Sequence, residues 1–213
     1  MIRLLLVDDH PVVRTGYQRL LEQAGDISVV AQADRVDLAY AEFVAHTPDV
    51  TVTDLSMPGS GGLELIRRIL ARDASARVLV FSMHDSALLV RRAFDAGARG
   101  FLSKSSAPEK LIEAVRAVHL GQRYLSDDLS PALLERDARY EASQLDSLTA
   151  REFEIFRLLA QGHSLNECAD TLNLSPKPVS NYQTLIKEKL GVSTSAALVH
   201  LAIRNGVISS AGT

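Results

Sequence analysis

Short aliphatic runs alternate with amphipathic segments of helix length through the first 120 residues or so, and then the alternation stops. The runs Ile2–Val7, Arg77–Phe81 and Gly100–Leu102 are mostly apolar, and Asp49–Thr53 joins them with valines set between threonines. That is the pattern of parallel strands covered on both faces. Apolar residues recurring at spacings of three and four predict helices over Val12–Ala24, Val36–Ala45, Gly62–Ala71, Ser86–Ala96 and Ala107–His119. Five strand-and-helix units predict a doubly wound α/β domain with a five-stranded parallel sheet over residues 1–121.

Residues 122–145 differ in character, with Asp127, Asp128, Glu135, Asp137 and Glu141 mixed among Arg123, Arg136 and Arg139. They read as a linker that holds at most one helix, over Pro131–Ala142. From 146 to 213 strand signals vanish and four short helices are expected, near 150–161, 165–172, 176–190 and 194–205. Thr149 with Glu152 and Ser164 with Glu167 have capping-box spacing, and Ser175 before Pro176 offers a third start. Gly162, Asn173, Gly191 and Gly206 suit helix ends. The short connection Asn173-Leu174-Ser175 between two helices suggests a helix-turn-helix in a small all-α domain.

Candidate chemistry gathers at the strand ends. Asp8 and Asp9, Asp54, Ser82 and Lys104 each follow an apolar run. In an open parallel sheet, such positions meet in one crevice beyond the carboxyl ends of the strands. Three clustered carboxylates repel one another, and a hard divalent cation, Mg2+ above all, is the usual remedy where a phosphate completes its shell. A phosphoryl group at Asp54 would then have the metal on one side, Lys104 on the other and a hydroxyl from Ser82. Asp9 alone fits a helix-capping role equally well.

The segments VDDHPVVRTG (7–16), DLSMPGSGGLEL (54–65), FSMHD (81–85) and GFLSK (100–104) resemble the CheY-like receiver domain of bacterial two-component response regulators, and more narrowly the NarL/FixJ branch. The resemblance implies that Asp54 accepts phosphate from a sensor histidine kinase and that Lys104 pairs with the phosphoryl group. It also implies that Mg2+ is held by Asp8, Asp9, Asp54 and the backbone carbonyl of Ser56, and that Ser82 and Phe101 form a switch pair. Residues 148–208 resemble the LuxR-type DNA-binding domain that follows receivers in this family.

In the helix from Pro176, the residues Val179, Tyr182, Ile186 and Leu190 share one face, which is expected to pack inward. Ser180, Asn181 and Thr184 lie outward and match positions that reach base edges in the family. Lys177, Gln183 and Lys187 are the candidates for phosphate contacts, which position a protein on DNA without specifying sequence. The implied partners are the kinase, double-stranded promoter DNA, RNA polymerase and a second copy of the chain when phosphorylated. Two departures stand out. Pro178 replaces a usual Thr, and Cys168 occupies an apolar slot as a small core residue.

Composition bounds these readings. The 213 residues, 46% hydrophobic and 23% charged, exclude a disordered chain and suit two domains. No membrane-length apolar stretch or signal peptide is read, and one cysteine suits a reducing cytoplasm. Six histidines at 10, 46, 84, 119, 163 and 200 show no ligand spacing. His10 either packs or tunes the cation. The loop glycines at 59, 61 and 62 lack the Lys and Ser/Thr of a nucleotide-binding loop.

Residues 146–213 carry six Lys/Arg against six Asp/Glu, less basic than most DNA-binding domains. The locally basic stretch 175–191, with three lysines and one glutamate, softens that objection. The expectation is therefore a phospho-switched DNA-binding regulator rather than an enzyme. A phospho-switched protein-docking regulator is the alternative. A haloacid-dehalogenase-type phosphatase would need a second acid where Ser56 stands.

Overall fold

The computed structural model describes residues 1–57, 61–127, 129, 144–172 and 174–208. They form two compact units, the first made of the described residues up to Asp85 and from Val90 to Leu129, the second of Ser86–Leu89 and those from Gln144 on. The predicted linker helix at 131–142 lies outside the described residues.

The first unit alternates strand and helix: β1 (Ile2–Val7), α1 (Pro11–Gln23), β2 (Ile27–Ala33), α2 (Val36–His46), β3 (Val50–Thr53), α3 (Gly62–Arg72), β4 (Val78–Ser82), α4 (Ala87–Asp95), β5 (Gly100–Ser103), α5 (Glu109–His119) and β6 (Tyr124–Leu125). The strands form one parallel sheet in the order β2-β1-β3-β4-β5-β6. β1, β3, β4 and β5 are almost wholly buried, which is why β1, β4 and β5 are mostly apolar, while β3 buries Thr51 and Thr53 beside its valines. β2 lies at the edge and is half-buried along most of its length. Its sequence ISVVAQA therefore lacks the run that marks the others.

The sheet has one strand more than the five expected. Tyr124 N–H donates to the Arg99 carbonyl and Ser126 N–H to that of Phe101, adding the two-residue β6 to the far edge. Gly100 permits that approach, because a Cβ there would lie 2.8 Å from Leu79 Cδ1, 3.0 Å from Val118 Cγ2 and 3.2 Å from the Tyr124 side chain. One face of the sheet packs Leu4, Leu6, Val52, Leu79, Phe81 and Leu102 against Leu21, Leu111, Ala114, Val115 and Val118. The chain register positions the site. Val7 pairs with Thr53 and Thr53 with Val80, so Asp8 and Asp54 leave adjacent strands side by side.

Among its described residues the second unit contains a 3-10 turn (Gln144–Ser147) and the helices α6 (Ala150–Ala160), α7 (Leu165–Thr171), α8 (Pro176–Lys189) and α9 (Ser195–Arg204). Both predicted capping boxes form, Thr149 with Glu152 and Ser164 with Glu167. Thr194 caps α9 by accepting from the Ala197 N–H at 3.1 Å. The third predicted cap differs. Ser175 occupies the N-cap of α8 but its hydroxyl makes no capping bond. A cap hydroxyl normally receives the second or third helical N–H, and the third residue here is Pro178, which has none. Gly162, Gly191 and Gly206 take the left-handed conformation expected at helix ends, whereas Asn173 lies outside the described residues.

Among the described residues, no helix is long and apolar enough to cross a membrane.

Candidate functional site

Asp8 and Asp54 sit at the carboxyl ends of β1 and β3, each only 3% exposed. Lys104 follows β5, and its Nζ donates at 2.6 Å to Asp8 Oδ2 and at 2.6 Å to Asp54 Oδ2. One ammonium thus bridges two buried carboxylates drawn from strands 50 and 96 residues away in sequence. Burial pulls the Lys104 pKa down, but attraction from Asp54 and its hydrogen bonds to Asp54 and Asp8 more than reverse that, and the net shift is upward. Lys104 stays charged across the physiological range.

Backbone contacts hold the carboxylates in place. Asp54 Oδ1 accepts the Ser56 N–H at 3.1 Å, and Asp8 Oδ1 accepts the His10 N–H at 2.8 Å. The Asp54 N–H donates to the Val7 carbonyl at 3.1 Å, which ties the two acidic loops together. Ser82 is fully buried as the last residue of β4, and its Oγ accepts the His84 N–H at 3.1 Å. The Ser82 carbonyl accepts the Lys104 N–H at 2.8 Å, linking the two loops that flank the pocket. Phe101 is entirely buried in β5, where it pairs with Val80 of β4. No described peptide is cis, and Lys104-Ser105 is trans.

The donor set suits a hard divalent cation. Asp8, Asp9 and Asp54 against Lys104 leave two net negative charges if all four groups are ionised. Asp9 Oδ1 is buried and has no hydrogen-bond partner. Carboxylate oxygens of Asp8 and Asp9, together with a nitrogen of His10, lie within 4.8 Å of one another. A buried carboxylate oxygen that accepts no hydrogen bond and stands beside a second acid is what a cation would satisfy. His10, for which packing was one expectation, is two-thirds exposed and points Nδ1 at the acids.

Two residues of this site are not conspicuous in sequence. Gly62, which opens α3, backs directly onto the Asp54 loop, and a Cβ there would lie 2.2 Å from the Asp54 carbonyl oxygen. Arg14, on α1, donates from Nη1 to the Asp8 carbonyl and from Nε to Gln32 Oε1 at 3.2 Å. An arginine on an amphipathic helix reads as a solvated charge, and only the fold reveals that it braces Asp8.

In the second unit, Val179, Ile186 and Leu190 of α8 are buried and Tyr182 is half-buried, as its pattern predicts. Ser180, Asn181, Thr184 and Lys177 are exposed, while Gln183 and Lys187 are half-exposed. Gln183, Thr184 and Lys187 line an open groove with Glu188 and residues 191–193. The third lysine of this stretch has another task. Lys189 Nζ bonds both Glu152 oxygens at 2.8 Å, fastening α8 to the start of α6. Burial raises the Glu152 pKa, but its bonds to Lys189 and Thr149 outweigh that and hold it below the ordinary glutamate range.

Residues 4–116 match the family model for the response regulator receiver domain, and residues 146–202 match that for bacterial regulatory proteins of the luxR family. The chain is 38% identical to the response regulator UvrY of Escherichia coli over 212 residues, covering 99% of this chain and 97% of that protein. The chain belongs to the NarL/FixJ response regulators. It is also 41% identical to the transcriptional activator protein ExaE of Pseudomonas putida, covering 96% of this chain and 97% of that one. Among solved structures it is similar to RcsB from Salmonella enterica serovar Typhimurium bound to promoter rprA in the presence of the phosphomimetic BeF3−. That match has a TM-score of 0.68 and 29% identity, over 94% of this chain and 98% of that chain. A receiver followed by a LuxR-type helix-turn-helix makes this response regulator a DNA-binding regulator of transcription.

Proposed function

We propose that a sensor histidine kinase phosphorylates this response regulator on Asp54, and that the new acyl phosphate switches sequence-specific binding of promoter DNA. The observation that carries the reading is the Lys104 bridge between two buried acids in a pocket of net negative charge. An Asp54 oxygen attacks the phosphorus of the kinase phosphohistidine, the phosphorus–nitrogen bond breaks, and the imidazole leaves and takes up a proton. Lys104, already 2.6 Å from Asp54 Oδ2, meets the charge that arrives with the phosphoryl group. Asp8, Asp9, Asp54 and the Ser56 carbonyl would hold Mg2+, which would supply the further positive charge that phosphoryl transfer needs.

Ser82 turns its hydroxyl from the His84 N–H toward a phosphoryl oxygen, and Phe101 repacks in response. The helix-turn-helix then reads DNA through Ser180, Asn181 and Thr184. An Asn amide pairs bidentately with adenine, and a Thr methyl contacts the methyl of thymine. Lys177, Gln183 and Lys187 hold phosphates. The phosphorylated chain acts as a dimer on paired half-sites, recruits RNA polymerase and works in the cytoplasm. Its output is regulatory rather than enzymatic.

Incubation with a small acyl phosphate donor and Mg2+, followed by intact-mass and peptide mass spectrometry, tests the first step. One added phosphate on Asp54, absent in Asp54→Asn, is the expected result. Modification elsewhere, or none, would overturn the assignment.

A further inference from the structure

We propose that His10 is itself a ligand of the acidic pocket, giving the site an affinity for borderline first-row divalent ions such as Ni2+ that its carboxylates alone would not provide. The inference rests on the reading of that pocket as a cation site. His10 occupies the turn between β1 and α1 with an extended backbone, φ −90° and ψ 108°. Its N–H bonds Asp8 Oδ1 at 2.8 Å, which curls the turn and carries the ring over the acids. Nδ1 lies 2.9 Å from Asp9 Oδ1 and 3.5 Å from Asp8 Oδ1.

The pair stands at ion-pair distance without hydrogen-bond geometry, since Asp9 Oδ1 accepts no hydrogen bond. Two ligand atoms on one edge of an octahedron with metal–ligand bonds of about 2.1 Å stand about 3.0 Å apart. The 2.9 Å separation of Nδ1 and Asp9 Oδ1 matches that edge. Packing does not account for the placement, since the side chain is 67% exposed. An imidazole adds little for Mg2+, which favours oxygen, and much for ions later in the first row.

Calorimetric titration of the untagged full-length protein with Ni2+ alone and with Mg2+ alone at pH 8, for wild type, His10→Gln and Asp9→Asn, tests this. Removing groups that merely orient a ligand typically costs 10- to 100-fold in metal affinity. His10→Gln is therefore expected to weaken Ni2+ binding by about tenfold or more while changing Mg2+ binding far less, and Asp9→Asn to weaken both. Because His10 is exposed, the substitution leaves the fold intact, which a thermal melt verifies. Ni2+ binding indifferent to His10 would place the ion elsewhere and overturn the proposal, as would equal losses for both ions. Wild-type protein that binds Ni2+ through His10 but never Mg2+ would sink the Mg2+ assignment and keep this one. Binding of neither ion would sink both.

Discussion

Lys104→Met removes a cation that touches both Asp8 and Asp54, and it should do so at a large and metal-dependent cost. Methionine keeps the length of the side chain and loses its charge. Each carboxylate is 3% exposed and loses a 2.6 Å charge-assisted bond. Taking one partner from a buried ion pair costs about 3–5 kcal/mol, because the remaining charge has neither water nor a counterion. Here two acids are left facing one another, so the expected loss is at least about 3 kcal/mol, a large part of the stability of an ordinary domain. Urea unfolding followed by circular dichroism measures it.

A divalent cation replaces the missing charge, so Mg2+ at a hundred times its dissociation constant should restore about 2.7 kcal/mol. Wild type should gain less, since Lys104 competes for Asp8. The raised Lys104 pKa fixes the pH window. Its stabilisation is fully present below the unfolded lysine value of about 10.4 and is lost as pH rises through the higher folded value, where variant and wild type converge. A cost below about 1 kcal/mol, or one that Mg2+ leaves unchanged, would refute the reasoning.

Gly62→Ala places a Cβ 2.2 Å from the Asp54 carbonyl oxygen, so the Asp54 loop must move. A loss of about 1–3 kcal/mol in urea unfolding and slower phosphorylation by an acyl phosphate donor are expected. Thr149→Ala removes the hydroxyl that caps α6 and should cost about 1 kcal/mol by the same unfolding measurement. Because the Glu152 pKa is lowered, its contribution holds above the unfolded glutamate value of about 4.3 and is lost as pH falls through the folded value. Lys189→Met should therefore narrow that acid-side dependence in a pH series of thermal melts. Lys187→Ala should weaken binding to all duplexes alike and reduce the salt slope by about one, whereas Asn181→Ala should relax preference at one base position in a mobility-shift series.

The central strands and the acid–lysine set are legible in sequence because burial on both faces writes β1, β4 and β5 as mostly apolar runs and β3 as valines alternating with threonines, each leading to a residue of the pocket. β2 and β6 escape for opposite reasons. One is a half-exposed edge strand, and the other is two residues long and exists only through its pairing with β5. Spacing could place Asp8, Asp54 and Lys104 at one end of a sheet, but not reveal that a single Nζ touches both acids. Gly62 and Arg14 were hidden by their ordinariness: a loop glycine and a basic helix residue gain meaning from the atoms they approach. In the helical unit, capping boxes are local and were readable. The empty cap of Ser175 required weighing Pro178 against the donor it replaces, and the withdrawal of Lys189 from the basic surface depends on a contact 37 residues away.

The most direct test of a phospho-switched DNA reader is selection from random duplex DNA with and without beryllofluoride and Mg2+, beside an Asp54→Asn control. Enrichment of one half-site motif only when the phosphate mimic and Asp54 are both present is the result expected. Equal enrichment in every state would contradict the switch, and no enrichment at any salt concentration would contradict DNA reading itself and favour a protein-docking regulator.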